Sequence, residues 1–295
     1  MFPISSTTQL WIAAGKLLAL NGEEFFLLWA KVAKRFEAEE IHDLRVSSRR
    51  LREGIALFAP CFPVKGLSRL KKELKRVTGI LGSLRNTDEA ILFFSTLTPE
   101  ERVSADAEIR ELLVHLEQER EAARARLKGE LKALRPGSLK SDLSALLRQP
   151  RLFGNNSVDP FLGFSRFADG AIAVRARPLG ELLPEALDEA NLGAQHQLRI
   201  AVKRLRYRLE ILEPLFKSGF PEMHDALKRY QEVLGKLHDL DVFAELVPDR
   251  IPEGPARQSL LRTVAARRSH LYAFFIDLFD SFPVDAVGAQ ARSSL

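Results

Sequence analysis

The sequence predicts an all-helical protein built from two related halves, and three observations carry that prediction. Apolar residues recur with the 3.6-residue period of a helix along most of the chain, whereas strand-like alternation is scarce. Proline, glycine, asparagine and aspartate gather in residues 148–160 and mark a break near the middle. A basic motif occurs twice, 154 residues apart, which is the sign of an internal repeat.

The elements follow in order. Asn21 with Glu24 reads as a capping box for a helix through Phe25, Leu28, Val32 and Phe36. Ile41 to Phe58 is a second helix, closed by Pro60 and Pro63, and Leu67 to Leu84 is a third. A short helix over Asp88–Leu97 comes next. Thr98, Pro99 and Glu101 then start a long helix, which runs to about Leu134 and stops at Pro136 and Gly137. Beyond the break, helices resume at Pro160 and continue near 194–216, over 222–237, in a short piece to Leu246 and over 256–280. The tail after Pro283 is small and polar and is expected to fray. The implied division is an N-terminal segment over 1–21, a first helical repeat over 22–147, a linker over 148–159, a second helical repeat over 160–280 and a flexible tail over 281–295.

Composition bounds the rest. Hydrophobic residues make up 46%, enough for a packed interior and too many for a disordered chain. The single cysteine, Cys61, cannot form an internal disulfide and reads as a buried apolar thiol in a reducing compartment. Neither a signal peptide nor an apolar run of the ~20 residues that a membrane span needs is visible. The expectation is therefore a soluble, cytoplasmic protein with no membrane partner. The net charge of +5 hides a local excess. From Ile41 to Arg76 ten Lys and Arg face only Asp43, Glu53 and Glu73, and clustered charge of this kind points to a partner.

The repeat shows where that charge is organised. His42, Arg45, Arg49, Arg50, Leu51 and Arg52 return as His196, Arg199, Lys203, Arg204, Leu205 and Arg206. Downstream, Leu74, Lys75, Arg76, Leu81, Gly82 and Asp88 return as Leu227, Lys228, Arg229, Leu234, Gly235 and Asp241, now 153 residues apart. On a wheel turning 100° per residue, Arg45, Arg49 and Arg52 fall within about 80° of His42, while Leu44, Leu51, Ile55 and Phe58 lie opposite. The second copy behaves in the same way, with Tyr207 added to its basic face. Like charges stacked along one face repel, so stability does not explain the stripe, whereas a bound polyanion does. Arginine supplies a fork that spans two phosphate oxygens and lysine a point charge. On the following helix Lys71, Lys75 and Thr78 flank the apolar stripe, answered by His224, Lys228 and Gln231. Gly82 and Gly235, costly inside helices, suggest close approach by a neighbour or a ligand. A basic face can also be plain solvated surface. Its repetition with the same histidine at its head argues for a ligand site.

The run His-x-x-Arg-(Val/Ile)-x-x-(Arg/Lys)-Arg-Leu-Arg, followed by Leu-Lys and Leu-Gly, resembles the CHAD family, the conserved histidine α-helical domain, over roughly residues 22–280. The resemblance implies two four-helix-bundle-like repeats related by a pseudo-twofold axis, with a basic central channel that binds inorganic polyphosphate without catalysis and without a cofactor or metal. It assigns one wall to His42, Arg45, Arg49, Arg50, Arg52, Lys75 and Arg76, beside which the helix face places Lys71. It assigns the other wall to His196, Arg199, Lys203, Arg204, Arg206, Lys228 and Arg229, with Tyr207 beside them. Such binding would place the protein on polyphosphate granules. The family's Arg-Asp-x-Asp turn is only partly kept, as Arg85, Asn86, Thr87 and Asp88 in one copy and His238, Asp239, Leu240 and Asp241 in the other. The alternatives are a metal-dependent phosphohydrolase built on the His-Asp pairs His42–Asp43, His224–Asp225 and His238–Asp239, a nucleic-acid-binding protein and a granule scaffold. The charge suits nucleic acid, but no recognised DNA- or RNA-reading motif or aromatic stacking platform accompanies it.

Overall fold

The structure, a computed structural model, describes residues 4–153 and 157–295, and the side chains of residues 83–85 lie outside that description, as do the glycine and asparagines at 154–156 of the expected linker. The described residues form twelve α-helices and three short 3-10 turns, with no strand beyond an isolated bridge between Gln9 and Gly163. The first half of the chain holds α1 (Leu10–Arg35), α2 (Ala38–Leu57), α3 (Val64–Ile80), α4 (Ser83–Ser95), α5 (Pro99–Arg102), α6 (Asp106–Ala133) and α7 (Pro136–Leu147). The second half holds α8 (Phe164–Ala186), α9 (Leu192–Leu212), α10 (Phe220–Arg250), α11 (Pro255–Ser281) and α12 (Val287–Ser293). The starts of α1 and α8, at 10 and 164, and of α2 and α9, at 38 and 192, are both 154 residues apart. Among the described residues no helix is long and apolar enough to cross a membrane.

Several elements differ from the sequence expectation, each for a packing reason. No helix starts at Asn21; α1 begins at Leu10 and runs straight through. Leu10, Ala13, Ala14, Leu17 and Leu18 continue the apolar stripe of Phe25 and Trp29 into the core, so residues 1–21 are not a separate segment. Gly22 does not break α1, because a Cβ there would lie 2.4 Å from Leu143 Cδ2, and the bare backbone is what admits α7. The capping box of Thr98 and Glu101 forms as expected, but its helix lasts one turn. Glu101 is tied to Arg267 of α11 at 2.8 and 2.5 Å, and the chain bends so that Ala105 and Ile109 can enter the interior. Pro136, expected to end a helix, instead takes the first position of α7, where its missing N–H costs nothing. α10 is one helix through Gly235 to Arg250 rather than two pieces, whereas its counterpart is split into α3 and α4 at Gly82. The tail does not fray: Val284, Val287, Gly288 and Ala291 are buried, and α12 packs on α8 so closely that a Cβ on Gly288 would meet Ala176 Cβ at 2.2 Å.

The apolar interior does not divide at the linker. A large cluster joins α1, α2 and α3 to α7, α8, α9 and α12, with the C-terminal part of α6 and the N-terminal part of α10. A smaller cluster joins Phe94, Ile109 and Leu112 of the first half to Phe243, Val247 and Leu260 of the second. Both interiors draw on both halves. Cys61 is buried in the first of them, and burial pushes its thiol up to about 12.

Candidate functional site

Helices α2 and α9 pack against each other, and the basic faces of both open onto two adjoining cavities. One, of about 580 Å³, is lined by His42, Arg45 and Arg49 of α2 and by Arg199, Lys203, Arg206 and Tyr207 of α9. α10 closes it with Lys228, Gln231, Gly235, Lys236 and His238. The other, of about 660 Å³, is lined by Arg49 and Arg52 of α2, Lys71, Lys75 and Thr78 of α3 and Lys203, Arg204 and Tyr207 of α9. Arg49, Lys203 and Tyr207 line both, so the two cavities meet at these side chains and together make one basic cleft region. Local sequence explains the layout. The leucines at 44, 51, 198 and 205 and Ile55 are buried at 0–1% exposure, and the helix period then turns the cations away from the core into the cleft.

Of the predicted site residues, the cleft thus gathers His42, Arg45, Arg49, Arg52, Lys71, Lys75, Arg199, Lys203, Arg204, Arg206, Tyr207 and Lys228. The remaining four are placed elsewhere. Arg50 turns to carboxylates: its Nε donates to Glu210 at 2.9 Å and its Nη1 to both oxygens of Glu24 at 3.0 Å. Arg76 faces a separate small cavity with Arg69, Glu73, Arg135 and Asp142, because it lies on the side of α3 that meets α6 and α7. Arg229 is exposed and lines neither cavity. The His196 ring lies tilted at 48° against that of His238 with ring centres 4.3 Å apart, and its buried Nδ1 has no hydrogen-bond partner among the described residues.

Two buried carboxylates organise the helices around the cleft. Glu53 of α2 accepts from Arg175 of α8 at 2.9 and 3.0 Å and from Arg208 of α9 at 2.8 Å. Glu210 of α9 accepts from Arg50 of α2 and from Arg206 at 2.8 Å, with His224 of α10 at 3.1 Å. The clamps are reciprocal: each of α2 and α9 gives one carboxylate and one arginine to the other. Sequence reasoning overlooked Arg175, Glu53 and Arg208 and gave Lys236 no role. Only Glu53 carried a signal, as one of three acids in a run with ten Lys and Arg.

The electrostatics are those of cations crowded together. Burial, then the charges of Arg49, Arg199, Arg45 and Arg204, pull the Lys203 amine down to about 7. Burial and then Arg49 and Arg204 lower Arg52. His196 is lowered by burial, then by His238 and Arg199, and His238 by burial and then Arg199. Arg206 is satisfied by Glu210 and by Gln231 at 3.1 Å and lies over the Tyr207 ring.

The glycines serve different purposes in the two copies. A Cβ on Gly82 would lie 3.2 Å from the Gly79 carbonyl, at the break between α3 and α4, while one on Gly235 would make ordinary contact with Arg199 Nε at 3.6 Å. Both line the cavity of about 580 Å³. Asp241, the last residue of the partly kept turn, holds Arg268 of α11 at 2.6 Å. Two of the His-Asp pairs, His42–Asp43 and His238–Asp239, line the same cavity, but among the described residues no group of three or more His, Cys, Asp or Glu is placed to hold a metal ion.

The fold has solved relatives. A crystal structure of the CHAD domain from the plant Ricinus communis superposes with a TM-score of 0.67 at 22% identity, covering 100% of this chain and 95% of that one. PptA from Streptomyces chartreusis superposes with a TM-score of 0.66 at 17% identity, covering 93% and 99%. No curated protein sequence is significantly similar to the chain. The sequence model of the CHAD domain matches residues 18–248, most of the length and both copies of the basic motif, and the chain therefore belongs to the CHAD domain family.

Proposed function

We propose that the protein binds inorganic polyphosphate, without catalysis, in a basic channel between α2 and α9, and that its two halves are duplicates related by a pseudo-twofold axis. The observation that carries this reading is the pair of adjoining cavities into which both copies of the motif send their cations. Eight arginine and lysine side chains from α2, α3 and α9 line it in addition to Arg206, and most have other cations as neighbours. Charges held in that way gain most from an anion with several phosphates, because each phosphate both pairs with a cation and relieves repulsion between cations. The two cavities adjoin at Arg49 and Lys203, an arrangement suited to an extended chain that lies across both. The matching offsets of α1 with α8 and α2 with α9 support the duplication. Membership of the family leads to the same ligand.

Titration with polyphosphate of defined length tests the proposal. Long chains are expected to bind tightly, with an affinity that falls steeply as salt rises, and orthophosphate weakly. Equal affinity for orthophosphate and long chains would overturn it. RNA and DNA at matched salt are the competing ligands, and either one displacing polyphosphate at equal phosphate concentration would make nucleic acid the better reading.

A further inference from the structure

Lys203 differs from the cations around it. Its side chain is partly buried where the two cavities meet, between Arg199 and Arg204 of its own helix and Arg45 and Arg49 of α2. Behind it α3 presents Lys71, Lys75 and Thr78, and α8 presents Arg175. In front of it α10 presents Lys228, Glu232, Lys236, His238 and Asp239, and α4 presents Glu89. The nearest buried carboxylates are engaged elsewhere, Glu53 by Arg175 and Arg208, and Glu210 by Arg50 and Arg206. Among the described residues no carboxylate forms an ion pair with Lys203.

We propose that Lys203 is a nucleophilic amine and that the cleft directs its acylation by acyl phosphates, small anions whose phosphate the surrounding arginines hold while the amine attacks the carbonyl. The inference rests on the reading of the cleft as a phosphate site. The amine lone pair forms a C–N bond to the carbonyl carbon. The C–O bond to the phosphate breaks, and its electron pair leaves with the phosphate, which takes the proton released by the nitrogen. A neutral amine and an acyl phosphate dianion thus give an amide and hydrogen phosphate. The same arginines act twice: after burial they help hold the amine at about 7, so that a good part of it is uncharged near neutral pH, and they stabilise the charge of the departing phosphate. The amide carries no charge, so acylation removes a cation from the point where the cavities join. The protein would then release polyanions as acyl phosphates accumulate.

The test treats the full-length protein with acetyl phosphate at pH 7 and follows each lysine by peptide mass spectrometry. Lys203 is expected to be acetylated at least tenfold faster than Lys71, Lys75 and Lys228, which share the cleft but are exposed. Its rate is expected to level off above about pH 7. Arg49→Gln is expected to slow Lys203 several-fold at pH 7 with the other lysines unchanged. A rate for Lys203 no greater than theirs overturns the proposal. So does fast reaction with a phosphate-free acetylating reagent but not with acetyl phosphate, since capture of the phosphate is then absent. A polyphosphate titration on the same sample separates the two readings. Binding with unselective acetylation sinks this inference alone, and selective acetylation without binding sinks the proposed ligand alone.

Discussion

Arg49 of α2 and Lys203 of α9 line both cavities of the cleft, and after burial itself the Arg49 charge is the strongest influence holding the Lys203 amine near 7. Two residues from opposite halves of the chain therefore share one electrostatic environment. Arg49→Gln and Lys203→Gln are each expected to weaken polyphosphate binding about tenfold, the order of one charge-assisted hydrogen bond. Each should also flatten the dependence of log affinity on log salt by roughly one unit. Calorimetric titration at several salt concentrations, with circular dichroism to confirm folding, checks both. Loss from one variant and none from the other would mean that a single wall suffices.

Binding should take up protons. Lys203, at about 7, and His238, lowered by burial and Arg199, are only partly charged in the unliganded protein at neutral pH, and a phosphate chain favours their charged forms. Affinity is therefore expected to rise as pH falls from 8 to 6, and Lys203→Met to lose most of that rise. The sign for stability is the reverse. The unfolded chain binds the lysine proton more tightly than the folded one, so this group makes the unliganded protein gain stability as pH rises from about 7 towards the ordinary lysine range. Denaturant titrations of the native and Lys203→Met proteins at pH 7 and pH 9.5 measure the difference.

Arg50 belongs to the scaffold. Arg50→Ala is expected to leave polyphosphate affinity within about twofold while lowering stability, because Glu210 and Glu24 lose a partner. Glu53→Gln should be far more damaging. It leaves Arg208, at 5% exposure, without its carboxylate, and breaking a buried pair in this way costs about 3–5 kcal/mol. Chemical denaturation reads both, and wild-type stability for Glu53→Gln would refute the clamp.

The C-terminal segment is part of the fold. Removing residues 284–295 strips Val284 and Val287, both at 0% exposure, from the interior, and the loss is expected to reach about 3 kcal/mol or more. A thermal melt of the truncated protein that matches the full-length one would show the segment to be dispensable.

The sequence foretold the cleft better than it foretold the scaffold, and the pair Arg50 and Arg204 shows why. They occupy equivalent places in the two motifs, yet Arg204 lines the cleft and Arg50 is bound by acids. The acids are not duplicated: 154 residues after Glu24 stands Pro178, and 154 residues before Glu210 stands Ala56. Helix period fixes which face a side chain occupies, but its partners come from distant segments that periodicity does not reveal. Arg175 escaped notice for that reason, lying on a helix with no basic motif and held at the cleft by its bond to Glu53. The continuous α1 and the ordered tail were missed on similar grounds, since Leu143 and Ala176, which pack where Gly22 and Gly288 lack a Cβ, lie far away along the chain.

Because each of the two apolar interiors takes side chains from both halves, the halves have no independence left to them. A chain cut between residues 148 and 159 would yield two pieces, each carrying half of two unfinished cores, that hold their shape only when reunited. Unfolding should accordingly be a single cooperative event, with no half-molten species in which one motif survives without the other. If the protein arose by doubling of a shorter chain, that ancestor formed its interior from two separate copies, and fusion turned an encounter between molecules into a contact within one.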